Sequence, residues 1–395
     1  MNPLSALLDL TVTEKEKLGV LYTPQEITQQ PATWPRTWAL LQSHLPDIRA
    51  FLAAAGLQSS PDKRPTILLI GAGTSDYVGR SLHHLLRQQW QCEVMPVSST
   101  DLLIDFSSYL LDDRPYLWIS FSRSGDSPEG IAVLERALAE RPSISHLVVS
   151  CNASGRMSRL TQGKPNACSI VLADETNDRG LAMTSSFTNM VIAGQALGHA
   201  WSPEQYNSIL DSITAAGQAF LPVAAELAEQ LAAKTYARAC FVGSGALAGT
   251  ALESSLKLLE LTAGKTNTMS QTTLALRHGP MAALDKETLF VSFLSTQGTP
   301  QRYEIDLLRE IERKHLVGGS LAVIGCGAMP LPQLEETRLL APQQSWPVPD
   351  LYRPAVDTIF GQLLGLFFSL RYGLMPDSPS PNGAIGRVVQ PIQIY

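Results

Sequence analysis

The chain has few cysteines, few charged residues and no long apolar run, and each shortage excludes a class of protein. Its five cysteines show no Cys-x-x-Cys or Cys/His spacing, so neither a disulfide framework nor a zinc site is expected. The apolar run from Leu363 to Leu370 is too short to span a membrane. The formal charge of −6 comes without a basic cluster, which argues against a nucleic-acid surface.

The segment from Met1 to Leu18 also lacks the features of a signal peptide. It contains Asp9, Glu14 and Glu16, and no basic region precedes an apolar stretch. We therefore expect a cytoplasmic protein with reduced thiols that binds neither membranes nor nucleic acid. At 395 residues, of which 45% are hydrophobic and 17% charged, the chain is long enough for two domains with good cores.

Short apolar runs alternate with helix-like segments, which predicts an α/β fold with parallel, doubly wound, flavodoxin-like sheets. We predict an N-terminal arm (1–45), a first domain (46–205), a second domain (206–375) and a C-terminal tail (376–395), with a linker around 200–215 and a long helix over 356–372. The predicted strands are 66–70, 92–97, 116–120, 146–151, 169–172, 239–242, 289–293 and 321–324.

The two predicted domains are related by an internal repeat. The segment 70–73 (Ile-Gly-Ala-Gly) matches 242–245 (Val-Gly-Ser-Gly) at an offset of 172 residues, and the pair Ser-Phe at 120–121 recurs at 292–293 with the same offset. Because one register serves both matches, we infer that the two halves share one ancestral pattern.

A serine-rich loop lies between a predicted strand and a predicted helix. Ser122, Ser124 and Ser127 offer hydroxyl donors, Gly125 permits close backbone approach and Arg123 adds positive charge. The unpaired N–H groups and the dipole of a helix N-terminus favour an anion at such a turn. The loop therefore predicts a phosphate site, with an ordinary capped helix as the alternative.

The repeat predicts that the second half lacks this site. At the same offset Ser122 corresponds to Leu294, and the following residues are Ser295, Thr296, Gln297 and Gly298. The Ser-x-Ser-Gly order is therefore lost, and we expect phosphate at this position in the first half alone.

The glycine turn Gly71-Ala72-Gly73-Thr74-Ser75 follows a predicted strand but does not fit a nicotinamide-binding fingerprint. The third glycine of that fingerprint would fall at position 76, which is Asp76. We interpret Ser75 as a further hydroxyl that faces the ligand.

Three charged residues, Glu253, Lys257 and Glu260, fall on one face of a predicted helix. We predict that Glu253 and Lys257 form an exposed pair worth a few tenths of a kcal/mol. His278 precedes Gly279-Pro280, where proline suits the start of a helix, and the positive end of that helix would keep the imidazole neutral.

Five motifs, in this order along the chain, resemble the sugar isomerase (SIS) superfamily. They are residues 25–31 (QEITQQP), 71–75 (GAGTS), 122–127 (SRSGDS), 251–260 (ALESSLKLLE) and 277–280 (RHGP). The order is similar to that in the isomerase half of glucosamine-6-phosphate synthase, which has two SIS domains. Residues 30–34, 177–188 and 382–389 are closer still to the galactosamine-6-phosphate deaminase/isomerases, also called tagatose-6-phosphate ketose/aldose isomerases.

The resemblance implies a role for each matched residue. Glu260 corresponds to the glutamate that moves a proton between C1 and C2, and His278 to the ring-opening histidine, which in the family comes from the neighbouring subunit. A homodimer or a dimer of dimers is therefore expected. The remaining implied contacts are the phosphate ligands named above, substrate contacts from Gly73, Thr74, Ser75, Ala182 and Thr184, and support from Lys257 and Arg387.

The departures from the synthase narrow the expected reaction. No glutaminase domain precedes the matched part, and the tail has Arg387 but no lysine that could form an imine with a ketose. We therefore predict deamination with isomerisation of galactosamine 6-phosphate to tagatose 6-phosphate and ammonia, without metal or organic cofactor. The alternatives are a plain aldose–ketose isomerase, a glucosamine-6-phosphate deaminase, and a sugar-phosphate sensor without catalysis.

Overall fold

The positions of the strands divide the chain into two compact units. The computed structural model describes residues 2–112, 114–296, 298–327, 334–390 and 392–395. The first-sheet unit comprises Thr33–Asn177, Ser185–Ser208 and Gly386–Tyr395; the second-sheet unit comprises Met1–Ala32, Asp178–Thr184 and Ile209–Ile385. In the described part of the chain, no helix combines the length and the apolar character needed to cross a membrane.

The first-sheet unit is built on a five-stranded parallel sheet with the strand order β2-β1-β3-β4-β5. Every residue of the apolar strand β3 is buried, as expected for a central strand covered by helices on both faces. The strands are Thr66–Gly71 (β1), Val94–Ser98 (β2), Tyr116–Ser122 (β3), Ser145–Ser150 (β4) and Ala167–Val171 (β5). The helices that accompany them are Thr74–Trp90 (α6), Ser99–Ile104 (α7), Pro128–Glu140 (α8), Arg156–Thr161 (α9) and Ser185–Gly198 (α10).

The second-sheet unit repeats this topology, with the strand order β7-β6-β8-β9-β10. Its strands are Arg238–Gly243 (β6), Asn267–Thr272 (β7), Thr288–Phe293 (β8), Gly319–Val323 (β9) and Thr337–Leu340 (β10). Its helices after β6 are Ala246–Leu261 (α12), Gly298–Arg313 (α13) and Pro354–Arg371 (α14). The sheet orders confirm the predicted α/β, doubly wound class.

The predicted repeat is also present in the backbone. Strands β1 and β6 begin 172 residues apart, as do β3 and β8. Gly73 has φ 55° and ψ −126°, and its counterpart Gly245 has φ 57° and ψ −128°. A left-handed φ of this kind favours glycine. Both halves therefore use the same strand-to-helix turn.

Several strands and helices of the structure were not predicted from the sequence. Strands β7 and β10 were not predicted. The edge strand Asn267–Thr272 is polar except at Met269 and gives no apolar signal, and the edge strand Thr337–Leu340 has only four residues. The predicted linker falls largely within a 30-residue helix, Pro203–Ala232 (α11). The predicted N-terminal arm is mostly helical, with helices Pro3–Leu8 (α1), Val12–Leu18 (α2), Thr23–Thr28 (α3), Gln30–Ser43 (α4) and Leu45–Ala54 (α5).

Helices α12 and α14 pack closely because two glycines of α14 lie at their contact. A Cβ on Gly361 would lie 2.4 Å from Cβ of Ser254, and one on Gly365 would lie 2.9 Å from the backbone oxygen of Lys257. Small residues four positions apart let two helix backbones approach. This contact holds the charged face of α12 in place.

We expect Gly361→Ala to lower the free energy of unfolding by ~1–3 kcal/mol, because the added methyl overpacks the helix contact. Ser254→Gly removes the Cβ and Oγ atoms that the methyl meets, while the Ser254 Cα, 2.6 Å from the position of the methyl, remains. The loss caused by Gly361→Ala should therefore be smaller in the Ser254→Gly background than in the wild type. Urea unfolding of both single variants and the double variant gives the coupling energy. An equal loss from Gly361→Ala in both backgrounds would contradict this packing.

Candidate active site

Two loops of the first-sheet unit meet where the strand order changes direction. Strands β1 and β3 are neighbours, with Ile70 beside Ser120, and the next strands, β2 and β4, lie on opposite sides of this pair. The carboxyl ends of parallel strands at such a switch point form the usual ligand crevice of open α/β sheets. The structure therefore brings the glycine turn and the serine loop to one edge.

The serine loop orders itself through its own hydroxyls. Ser122 Oγ accepts a hydrogen bond from the Gly125 backbone N–H at 3.0 Å, and Ser124 Oγ accepts one from the Asp126 N–H at 3.1 Å. Each hydroxyl thereby keeps its own hydrogen as a donor. Gly125 has φ 66°, which a side chain would strain.

The loop that follows β4 braces the serine loop from one side. The Asn152 side-chain amide donates to the Ser124 carbonyl at 2.8 Å, and the Met157 N–H donates to the Gly125 carbonyl at 2.9 Å. The Asp126 carboxylate accepts the Arg156 N–H at 2.8 Å. These contacts fix the loop before any ligand binds, so a ligand meets a preorganised set of donors.

The two helices at this edge begin without a side-chain cap. Neither Ser127, at the start of α8, nor Gly73, at the start of α6, makes a side-chain capping bond. Gly71 permits the turn, since a Cβ there would lie 2.3 Å from the backbone carbon of Ser75. Ser75 and Thr74 are buried at this turn. Two uncapped helix starts at one edge favour an anion.

The structure links Arg123 to the C-terminal tail. The buried Arg123 guanidinium donates to the backbone carbonyl of Arg387, and the Arg387 guanidinium donates to Asn177 Oδ1 at 2.6 Å. Both predicted residues therefore lie within the first-sheet unit, and Arg123 positions the tail beside the serine loop.

The equivalent loop of the second-sheet unit is filled by carboxylates of the protein itself. The backbone N–H and hydroxyl of Ser295 donate to Glu304 at 2.6 and 2.9 Å. Those of Thr296 donate to Asp350 at 3.2 and 2.9 Å. Gln297, part of the predicted comparison, lies outside the described residues. Internal carboxylates thus accept the N–H and hydroxyl donors of this loop.

A fully buried arginine completes this internal site. Arg353 donates to Asp350 at 2.7 Å, to Asp357 at 2.6 Å and to the Leu294 carbonyl at 2.9 Å. Burial raises the pKa of Asp357 to about 6 and also raises the pKa of Glu304. The positions of these carboxylates support the predicted restriction of phosphate to the first half.

The charged face of α12 is buried, and the predicted exposed pair is wrong. Glu253 and Lys257 are both 0% exposed. Lys257 Nζ lies 2.6 Å from Glu260 Oε2 and 3.4 Å from Glu253 Oε1, while the Glu260 side chain keeps 25% exposure. The spacing of charges along a helix cannot show that α14, about a hundred residues further on, covers them.

The internal repeat indicates that Lys257 is buried, which the spacing of charges along α12 does not show. At the same offset, Lys257 corresponds to Leu85, a fully buried apolar residue of α6, and Glu260 corresponds to the exposed Gln88. A core position that accepts leucine in one half holds an ammonium in the other. A buried ion pair is often no more stable than an apolar replacement, so stability alone does not explain Lys257.

His278 lies on the surface of the second-sheet unit, between two short turns. Its backbone N–H donates to the Ala275 carbonyl at 3.0 Å. The expected helix after it is a four-residue 3-10 turn, Pro280–Ala283, which is too short for the predicted helix dipole. Its imidazole is exposed and can meet a ligand or a second chain.

The structure places Ala182 and Thr184 in a buried loop of the second-sheet unit. The Thr184 N–H and hydroxyl both donate to Asp178, at 2.8 and 3.0 Å, so this threonine shapes the loop. Within the described ranges, no group of three or more His, Cys, Asp or Glu side chains is arranged to hold a metal ion.

Comparisons with known proteins place this geometry in a family. The chain matches no protein-family model. It is 33% identical over 376 residues to the D-galactosamine-6-phosphate deaminase AgaS of Escherichia coli, covering 95% of both chains. It is 30% identical over 389 residues to the protein of the same name from Shewanella sp. strain ANA-3, covering 98% of this chain and 95% of that one.

A crystal structure of tagatose-6-phosphate ketose/aldose isomerase from Escherichia coli superposes with a TM-score of 0.83 and 30% identity, covering 94% of this chain and 96% of that one. The C-terminal domain of glucosamine-fructose-6-phosphate aminotransferase from Francisella tularensis shares the fold, with a TM-score of 0.73 at 18% identity over 89% of this chain and 96% of that one. Because the chain covers nearly the full length of deaminases at least 30% identical to it, it belongs to the AgaS family of D-galactosamine-6-phosphate deaminases.

Proposed function

We propose that this protein converts galactosamine 6-phosphate and water to tagatose 6-phosphate and ammonia. The names of its relatives support the substrate. The observation that carries the chemistry is Lys257, buried where the repeat has Leu85 and bonded to the partly exposed Glu260 at 2.6 Å. A carboxylate held by a buried ammonium at the edge of solvent is suited to proton transfer.

The reaction needs ring opening, one proton transfer and one hydrolysis. In the open aldehyde, or its imine equivalent, the hydrogen at C2 is acidic. Glu260 takes this proton and returns it to C1, while O1 gains the proton that the ammonium group loses, so C1 becomes an alcohol and the C2–N bond becomes a ketimine. Water adds to C2 and the C2–N bond breaks, which releases ammonia and leaves the ketose. The oxidation of C2 and the reduction of C1 balance within the substrate, so no external oxidant or reductant is needed, and the proposal includes no metal or organic cofactor.

We assign phosphate binding to Ser122, Arg123, Ser124 and Ser127. The ordered hydroxyls, the uncapped start of α8 and the internally filled counterpart loop support this assignment. Gly73, Thr74 and Ser75 form the neighbouring turn and are assigned to the same ligand. Thr184 and Ala182 shape a further substrate contact, and Arg387 and Lys257 act as supporting residues.

We assign ring opening to His278. Its exposure at the surface of the second-sheet unit supports a role across an interface between copies. The proposed assembly is therefore a homodimer or a dimer of dimers, and the proposed location is the cytoplasm.

Ammonia release tests the function directly. The purified protein should release one ammonia per galactosamine 6-phosphate consumed, and at a higher kcat/KM than from glucosamine 6-phosphate. The name of the related Escherichia coli structure keeps a plain ketose/aldose isomerase as the second candidate. Interconversion of tagatose 6-phosphate with its aldose, without ammonia release from either hexosamine phosphate, would favour that candidate.

The repeat supplies a matched control for the phosphate site. We expect Ser124→Ala to raise KM about tenfold, because a charge-assisted hydrogen bond worth ~1–3 kcal/mol is lost. Thr296→Ala alters the equivalent residue, whose hydroxyl donates to Asp350, and should leave KM unchanged. Steady-state kinetics of both variants test this prediction. Equal effects on KM would refute the proposal that phosphate binds in the first half alone.

Glu260→Gln keeps the shape of the side chain and removes the base, so kcat should fall by at least ~10²-fold with little change in substrate affinity. The exposed Glu229→Gln is the control and should retain wild-type kcat. Ammonia release by Glu260→Gln at the wild-type rate would exclude the proposed proton relay. For the wild type in deuterated water, deuterium at C1 of the ketose would further support exchange through a carboxylate.

Mixing two inactive variants tests the proposal that His278 acts in the active site of a neighbouring subunit. Glu260→Gln protein and His278→Ala protein should each be inactive, and subunit exchange between them should restore part of the activity through hybrid sites. Either variant mixed with itself is the control. A mixture that exchanges subunits, shown by mass spectrometry, yet stays inactive would place both residues in one chain.

A further inference from the structure

Glu26 on helix α3 is a buried carboxyl group without a cationic partner in the described structure. Glu26 is 7% exposed. Oε1 accepts the backbone N–H groups of Arg179 and Gly180, at 2.5 and 3.3 Å. Among the described residues Oε2 is buried and has no hydrogen-bond partner. Oε1 thus holds the backbone at Arg179 and Gly180, whereas Oε2 has no donor among the described residues.

The groups around Glu26 are mostly acidic. Asp178 precedes the loop residues that Glu26 binds, and Asp377 accepts the Thr23 N–H and hydroxyl at 2.8 and 2.7 Å. A Cβ on Gly180 would lie 3.0 Å from Glu26 Oε2, 2.9 Å from Thr23 Oγ1 and 3.8 Å from Asp377 Oδ1. Oxygen atoms of α3 and of the 377 segment therefore converge on Gly180.

The nearby cations do not neutralise this cluster. The Arg179 guanidinium lies over the ring of Tyr22, 6.0 Å from its centre. Helix α1, which packs against α3, has no charged residue. Helix α14 also packs against α3; its Asp357 pairs with Arg353, and its remaining charge is Arg371 at the last residue. The charged groups that act on Glu26 are thus Asp178 and Asp377.

Burial, reinforced by the charges of Asp178 and Asp377, raises the pKa of Glu26 to about 8. The two backbone N–H groups oppose this shift but do not outweigh it. At neutral pH the group is therefore mostly a carboxylic acid, whose Oε1 still accepts both N–H groups.

We propose that Glu26 is a positioning residue, which holds the 178–184 loop as a neutral carboxylic acid wedged between Asp178 and Asp377. Ionisation would place a third negative charge among these carboxylates and loosen their packing around Gly180. The functional consequence rests on the proposed function, because Ala182 and Thr184 of this loop are assigned there to substrate binding. Loosening of the loop should affect KM more than kcat.

The sign of the pH dependence follows from the raised pKa. The folded state holds this proton more tightly than the unfolded state, in which the pKa is 4.5. The stabilising contribution is therefore complete below pH 4.5 and is lost as pH rises through about 8.

The test compares Glu26→Gln, which is permanently neutral and keeps an acceptor oxygen, with Glu26→Ala, which removes it. The exposed Glu16→Gln is the matched control. The first readout is hydrogen exchange of the Arg179 and Gly180 amides between pH 6.5 and 9.5, relative to the rate in an unstructured peptide. In the wild type and in Glu16→Gln, protection should fall by up to about tenfold per pH unit as pH rises to about 8, and should level off above it, where Glu26 is ionised in both the closed and the opened state. Glu26→Gln should keep its protection, and Glu26→Ala should lose at least ~10-fold at every pH.

The second readout is the pH profile of KM and kcat for ammonia release. Wild-type KM should rise above pH 8 with a smaller change in kcat, and Glu26→Gln should lack this rise. An unchanged alkaline loss of protection in Glu26→Gln, or a Glu26→Gln loop as unprotected as that of Glu26→Ala, would overturn the proposal. Failure of the wild type to release ammonia would refute the proposed function, and hydrogen exchange would still decide the role of Glu26.

Discussion

Compensation of buried charge is the constraint on which the second-sheet unit depends. Arg353 is fully buried between Asp350 and Asp357, and Lys257 is fully buried between Glu253 and Glu260. Removing one member of such a cluster leaves a charge without compensation, at a cost of ~3–5 kcal/mol. The Arg353 cluster also ties together elements far apart in sequence, whereas the Lys257 cluster lies within α12. Arg353 binds the ends of β8 and β9 to α14, while α14 covers the helix that carries Lys257.

The same constraint distinguishes the equivalent loops of the two halves. In the second half, Asp350 and Glu304 occupy the donors of the loop after β8, so that site is complete without a ligand. In the first half the loop after β3 presents Ser122, Ser124 and an uncapped helix at the equivalent place. One topology thus yields a closed internal site and an open one. The difference is that the second half supplies its own carboxylates as anions. It is accompanied by leucine (Leu294) in place of serine (Ser122) at the start of the loop.

Sequence patterns alone predicted the parallel sheets, the repeat and the loop that the structure places at the switch point, because these depend on local signals such as buried strands and glycine turns. The edge strand β7 was not predicted because a half-exposed polar strand resembles a loop, and β10 was not predicted because it has only four residues. The burial of Glu253 and Lys257 was not predicted, for a different reason. It depends on the Gly361 and Gly365 contact with α14, which no spacing within α12 encodes. The comparison of Lys257 with Leu85 would have indicated a buried position, since the repeat was already in register.

Buried acidic groups of this protein are accommodated in three ways, and each way has a different consequence. Asp357 pairs with Arg353 and accepts the Gly325 N–H at 2.8 Å, which limits its raised pKa to about 6. Glu304 accepts hydrogen bonds from a backbone N–H and a hydroxyl. Glu26 has two backbone donors on one oxygen and acidic neighbours beside the other, so protonation replaces the missing cation. Since Asp357 has a cationic partner and Glu304 has a donor on each oxygen, the α3 carboxyl is the group through which alkaline pH would act on the loop it holds.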